Sequence, residues 1–228
     1  MMDKLVSLAW AALLGAVVAL LLWPEGRAVF EETTRAHPYL MGCAKIGLLG
    51  TMGELLGKRL ARGAWQLKGI RLGQRALVWA FLGVVFAAVF PLFSFGVDGL
   101  LGKELLPGAD YPLVVAFWKS FFMNIIFAFP MMVFHRITDT LIDRGQLMTR
   151  WPLVEVFVGI DWKTMIRVVG GACLWFWIPA HTVTFSLPPE YRVLSAALLA
   201  IALGFIMGIA NRRKALPAGT PNVPPAIA

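Results

Sequence analysis

The sequence predicts an all-α protein, a polytopic membrane bundle of about six transmembrane helices with both termini cytoplasmic. Three observations carry that expectation. Apolar stretches near residues 5–23, 40–57, 76–97, 112–134, 166–187 and 192–210 approach the roughly 20 residues a helix needs to cross the hydrocarbon. Hydrophobic residues make up 59% of the chain and charged residues 15%, against roughly 45–50% and about 25% in soluble domains. Basic residues, finally, sort between alternate gaps. The 58–75 gap holds Lys58, Arg59, Arg62, Lys68, Arg71 and Arg75 without an acid, 135–167 holds Arg136, Arg144, Arg150, Lys163 and Arg167, and Arg212, Arg213 and Lys214 follow the last span. The other gaps are poor in base: Arg27 and Arg35 stand against Glu25, Glu31 and Glu32, Lys103 against Asp98, Glu104 and Asp110, and Arg192 is the one base of 188–192. Positive charge marks the cytoplasmic or equivalent side.

The first span reads as a retained anchor, because Lys4 sits beside Asp3, the apolar core is long, and Trp23-Pro24-Glu25-Gly26 is not a small-residue cleavage site. Residues 24–39 follow as an outer loop. The 40–57 span is the least apolar, since it carries Lys45, Glu54 and five glycines. Pro91, Pro130 and Pro179 fall inside later spans, where each removes a backbone donor and bends its helix. After the last span, residues 215–228 form a Pro-rich tail expected to be disordered. The organisation expected is therefore an anchor and outer loop over 1–36, a helical membrane domain over 37–214, and that tail.

A net charge of +8 would suggest nucleic acid in a soluble chain; here the excess lies in short juxtamembrane loops, where it sets topology and attracts anionic lipid, so a nucleic-acid partner is not expected. Cys43 and Cys173 both lie inside spans, so neither a disulfide framework nor a thiolate metal site is indicated. Helix packing is legible in two stripes of small residues. Gly47, Gly50, Gly53 and Gly57 lie within about 120° of one another on a helical wheel, and Ala196, Ala200, Gly204 and Gly208 step by four. These stripes predict close helix contacts within the chain, with a homo-oligomer as the alternative. Gly83, with fewer small neighbours, is expected to tolerate a side chain better than Gly53.

Catalytic chemistry is scarce. His37, His135 and His181 are far apart in sequence, and no nucleophile–base ordering or phosphate-binding glycine loop stands out. His135, Asp139 and Asp143 recur every four residues and share a face, as they would in a metal-dependent phosphotransferase. Arg136 and Arg144 interleave them, with Phe134, Ile137 and Leu141 on the apolar side, and this is the pattern of an amphipathic interfacial helix with surface ion pairs. No metal, no cofactor and no enzymatic activity are expected on that reading.

In AHPYLMGCAKIGLLGTMGELLGKRL and LWFWIPAHTVTFSLPPEYRVL the chain resembles the Mpv-seventeen/peroxisomal-membrane-protein-22 family of mitochondrial inner-membrane and peroxisomal proteins. Pro38 leads to Gly53-Glu54 where that family has a proline and then Gly-Asp. Trp177, His181, Thr184 and Phe185, followed by Pro188, Tyr191 and Arg192, echo its late signature, with His181 in place of Gln and Thr184 in place of Asn. Lys119, Asn124 and Pro130 echo a Lys–Gln–Pro pattern, and residues 1–36 have no counterpart. The resemblance implies a pore or modulator for small metabolites without an established reaction. Low Ser and Asn content, short loops and the lack of a transit peptide point to a bacterial inner-membrane relative, with mitochondrial inner or peroxisomal membrane as alternatives.

Lys45, Glu54, Lys119, Asn124, His181, Thr184 and Arg192 are the candidate pore-lining or intramembrane polar groups, since polar side chains inside a bilayer face the bundle interior or water. Lys45, Lys119 and His181 each lie seven residues inward of an outer-end proline (Pro38, Pro112, Pro188). They are expected at one depth, roughly 10 Å below the outer boundary, as a cationic constriction favouring small anionic metabolites. The competing expectation is structural: Glu54 pairs with Lys58, Asn124 bonds across helices, and Arg192 caps carbonyls near a helix end.

Overall fold

A computed structural model describes residues 2–215, and these are helical with no strands. α1 (Met2–Leu22) stops where Trp23, in extended conformation, precedes Pro24. The expected outer loop is instead a second helix, α2 (Pro24–Ala36), whose start and stop are both written locally. Pro24 occupies the first turn, where its missing amide would have no partner anyway, and Glu25 beside it and Arg35 in the last turn are favoured by the helix dipole. His37, at φ −133°, ends α2 ahead of Pro38, which opens α3 (Pro38–Arg62). Gly63, at φ 82°, closes α3 in the left-handed conformation that a residue without Cβ adopts freely.

α4 (Leu72–Gly102) contains Pro91. α5 (Pro112–Met123) runs through a π turn at Asn124–Ala128 into α6 (Phe129–Arg144), and the short α7 (Leu153–Val158) leads to α8 (Trp162–Thr164). Asp161 caps α8 by accepting from the Thr164 amide at 3.1 Å, and hydrogen bonds from Thr164 hold its carboxyl below the ordinary aspartate range. From α8 the chain passes through π turns at Met165–Gly170 and Cys173–Trp177 into α9 (Ile178–Ser186), then α10 (Pro189–Ala215). Pro130 and Pro179 each stand second in the helix after a π turn. The missing amide of each proline is thus absorbed by a widened turn just before it. The expected tail lies outside the described residues except for Ala215, which ends α10.

Five stretches are long and apolar enough to cross a membrane: Met2–Leu22, Leu72–Gly102, Pro112–Arg144, Trp162–Ser186 and Pro189–Ile206. The chain is accordingly an integral membrane protein of the all-α class. The sixth expected span corresponds to α3, which falls short on composition and not on length. Its 25 residues extend about 37 Å, beyond the roughly 30 Å of hydrocarbon. α3 can carry a lysine, an acid and so many glycines because it lies between α4 and α10, where protein replaces lipid.

Both small-residue stripes serve that packing. A Cβ built on Gly53 would fall 2.6 Å from the Ala200 carbonyl oxygen, one on Gly204 would fall 2.1 Å from that of Gly53, and Gly208 approaches Gly57. The α3 and α10 stripes therefore face each other within one chain, with the two helices parallel. On the α4 side, Gly47 meets Ala80 and Gly50 meets the Trp79 ring. The expectation for Gly83 is corrected: its Cβ would lie 2.1 Å from the Gly42 carbonyl oxygen, as close as any contact in the α3–α10 seam. Counting small neighbours within one span missed it, because the neighbour belongs to the antiparallel helix.

Chain direction gathers the base-rich gaps at one end of the bundle. Asp3 pairs with Arg59 at 3.0 Å, Arg71 donates to the Ile142 carbonyl at 2.7 Å, and Gly208 packs on Leu60. At the opposite end Arg35 pairs with Glu190 at 2.8 Å and Lys119 with Asp98 at 2.8 Å.

Candidate functional site

Intramembrane polar side chains collect in three places, and the most highly charged is at the basic end. Arg75, expected in a loop, lies in the first turn of α4 with its side chain only 5% exposed. Its guanidinium reaches Glu54 Oε1 of α3 at 2.5 Å, Asp139 Oδ1 of α6 at 3.1 Å, and Asp143. Lys58 pairs with Glu54 Oε1 at 2.7 Å, and Trp79 Nε1 donates to Glu54 Oε2 at 2.9 Å. The planar five-donor fork suits this role, since one lysine could not meet three carboxylates on two other helices.

The reading of residues 135–144 as an interfacial helix with surface ion pairs is corrected only in part, since Asp143 and the Arg144–Glu155 pair do lie exposed. Thr138, Leu141 and Ile142 are fully buried, and Asp139 faces Arg75. Glu54, His135 and Asp139 do bring one potential metal-ligand atom each within 4.8 Å of the others. The acid from α3 was invisible as part of that cluster, because it lies far away in sequence. Each carboxylate oxygen of the trio already faces a donor, however: His135 Nδ1 stands 3.4 Å from Asp139 Oδ2, and Arg75, Lys58 and Trp79 cover the rest. The carboxylates of the trio thus serve as acceptors in an ion-pair network that joins α3, α4 and α6.

A second place lies where the π turns of Asn124–Ala128 and Cys173–Trp177 meet. Asn124 is 1% exposed and His181 is 5% exposed. Asn124 Nδ2 donates to the Ser120 carbonyl at 2.8 Å and approaches His181 Nδ1 at 3.4 Å; the Ser120 hydroxyl donates to the Ile178 carbonyl at 2.7 Å. His181 is stacked on Trp177 and meets Phe90 edge-on. Asn124 Oδ1 and His181 Nε2 are buried without a hydrogen-bond partner. A hydrogen on Nε2 is the tautomer that would let Nδ1 accept from that amide. One imidazole nitrogen and one amide oxygen are left without a partner within the protein.

The third place is the opposite end of the bundle. Lys45 donates to the Thr34 hydroxyl at 2.8 Å and the Glu190 carbonyl at 3.1 Å, and lies 4.2 Å over the Phe30 ring. Arg192 donates to the Leu187 and Phe185 carbonyls, capping the end of α9, and to the Ser94 hydroxyl at 2.8 Å. Thr184 shares a 2.8 Å hydrogen bond with Ser195. Lys45, Lys119 and His181 thus hold three different sets of partners. Asp98 and Thr34, which the sequence did not single out, complete two of them. Comparison of the chain with protein-family models, curated proteins and solved structures finds no match.

Proposed function

We propose that the protein admits small polar solutes to the interior of its bundle at the Asn124–His181 pair and passes them across the membrane, with a preference for anionic metabolites set by Lys45, Lys119 and Arg192. The observation that carries this reading is the pair of buried, unpartnered atoms. Leaving such a group unsatisfied costs about 1–3 kcal/mol, and hydrocarbon offers no alternative partner. A guest offering both an acceptor and a donor, as a hydroxy acid does, would satisfy both. The flanking π turns fit a functional position, and conduction agrees with the resemblance to the Mpv-seventeen/peroxisomal-membrane-protein-22 family.

In planar bilayers the parent protein should conduct with an anion-favouring reversal potential. Asn124→Leu with His181→Phe should reduce that conductance at least about tenfold, the loss of about 1.4 kcal/mol of favourable interaction. Lys45→Gln with Lys119→Gln should move the reversal potential toward that of an unselective pore. A parent protein that is folded and silent would instead favour a structural or assembly role. That second reading is supported by the pairing of Lys119 with Asp98 and of Lys45 with Thr34.

We further propose that the basic end is cytoplasmic, by the sorting of Lys and Arg, and that the membrane is a bacterial inner membrane, a reading supported by the low Ser and Asn content and the short loops. In a background with Cys43 and Cys173 replaced by alanine, an impermeant maleimide added outside should label Leu105→Cys and spare Lys68→Cys. Both native residues are exposed. The reverse pattern would invert the orientation.

A further inference from the structure

We infer that the cleft between α1 and α10 is a binding site for one anionic phospholipid of the leaflet at the basic end. α1 is fastened near its start by hydrogen bonds and an ion pair. Asp3 accepts from the Trp65 amide at 2.9 Å and pairs with Arg59, Ser7 accepts from Trp65 Nε1 at 2.8 Å, and Trp10 Nε1 donates to the Met52 carbonyl at 3.1 Å. Near its other end Gly26 of α2 comes up against the Leu20 carbonyl. Between those fastenings α1 has no small-residue seam with the bundle: a Cβ on Gly15 would meet nothing within 4 Å, and no residue of α1 is buried.

The resulting cleft has a volume of about 570 Å³ and is walled by Trp10 and Leu14 of α1, Leu56 of α3, and Leu198, Phe205 and Ile206 of α10. It offers hydrocarbon alone. Leu198 to Ile206 spans about 12 Å along the helix axis, close to the ~15 Å of one leaflet's hydrocarbon, half the bilayer core. A second groove of about 430 Å³ adjoins it through Leu198 and Ala202 and continues toward Leu187, so the cleft ends near mid-membrane without blocking an acyl chain.

What distinguishes the occupant is the charge at the mouth. All three walls lead to the basic end: α1 backward from Trp10 to Lys4, α3 onward from Leu56 to Arg59 and Arg62, and α10 onward from Ile206 to Arg212. Lys4, Arg62 and Arg212 are exposed there. Asp3, the acid next to Lys4 in the chain, is already paired with Arg59. An apolar slot one leaflet long beneath basic side chains matches a phosphodiester headgroup above an acyl chain.

The test is native mass spectrometry of the intact protein from detergent, titrated with palmitoyl-oleoyl phosphatidylglycerol and, separately, with phosphatidylcholine of the same chains. One phosphatidylglycerol should be retained at least about tenfold more tightly than phosphatidylcholine, as two or more bases each contributing about 1 kcal/mol would give. Lys4→Gln with Arg62→Gln and Arg212→Gln, none of which supports the α1 fastening, should erase that preference while leaving acyl-chain binding. Ala202→Trp, which fills the cleft, should weaken both lipids. Glycerol phosphate, a headgroup without a chain, should not compete. Equal retention of the two lipids, a preference that survives loss of all three bases, or displacement by glycerol phosphate would overturn the assignment.

Discussion

Gly83→Leu should remove folded protein at least as completely as Gly53→Leu. The cause in each case is backbone and not side chain. A Cβ at position 83 falls 2.1 Å from the Gly42 carbonyl oxygen, and one at position 53 falls 2.6 Å from that of Ala200. A carbonyl has no rotamer to yield, so relief requires the helices to part. Parting them would also weaken neighbouring contacts, since Gly42, Gly47 and Gly50 bring α3 onto α4 along the same line. We expect a loss of about 3 kcal/mol or more, the upper end of overpacking costs. The comparison that isolates the seam is Gly96→Leu. It lies in the same helix, where a Cβ meets nothing within 4 Å, and should be close to neutral. Monodisperse yield on size exclusion and thermal unfolding in detergent would measure all three variants. If Gly83→Leu behaves like Gly96→Leu, the α3–α4 approach is wrong.

What was readable in the sequence follows the range of the forces involved. Span positions and the sorting of bases depend on composition over a helix length, and that information is local. The start and stop of α2 are local too: Pro24, Glu25 and Arg35 state them, although the low hydropathy of the segment fits a loop equally well. The i, i+4 pairing of Glu54 with Lys58 and the capping of α9 by Arg192 were foreseeable for the same reason. The partners of Asp139 were not. Arg75 looks like one more topological base beside Arg71, and only the three-dimensional crossing of α3, α4 and α6 turns it into the centre of an acid cluster. Gly83 likewise acquires its meaning from Gly42 on an antiparallel neighbour. Periodicity locates the face of a helix that packs, but not which helix it meets.

Arg75→Leu should be among the most destabilising single polar changes available to this protein, yet part of the damage should be reversible by removing its partners. Loss of the guanidinium leaves Glu54, 14% exposed, with Lys58 as its one cation beside the Trp79 N–H, and leaves Asp139, 28% exposed, facing His135. Stranding buried carboxylates in this way costs about 3–5 kcal/mol. The same principle sets the rescue: a buried ion-pair network replaced as a unit by neutral groups is often no less stable than the original. Arg75→Leu combined with Glu54→Gln and Asp139→Asn should therefore recover most of the loss. Arg75→Lys should fall between, because a point charge cannot span both helices. Asp143→Asn should change stability by less than about 1 kcal/mol, as expected for an exposed pair; its side chain is 69% exposed. Thermal unfolding of the five proteins, parent included, at one pH and one salt concentration would decide. A triple variant no better than Arg75→Leu alone would mean that the arginine acts through packing against the start of α4, and the charge lock between α3, α4 and α6 would be abandoned.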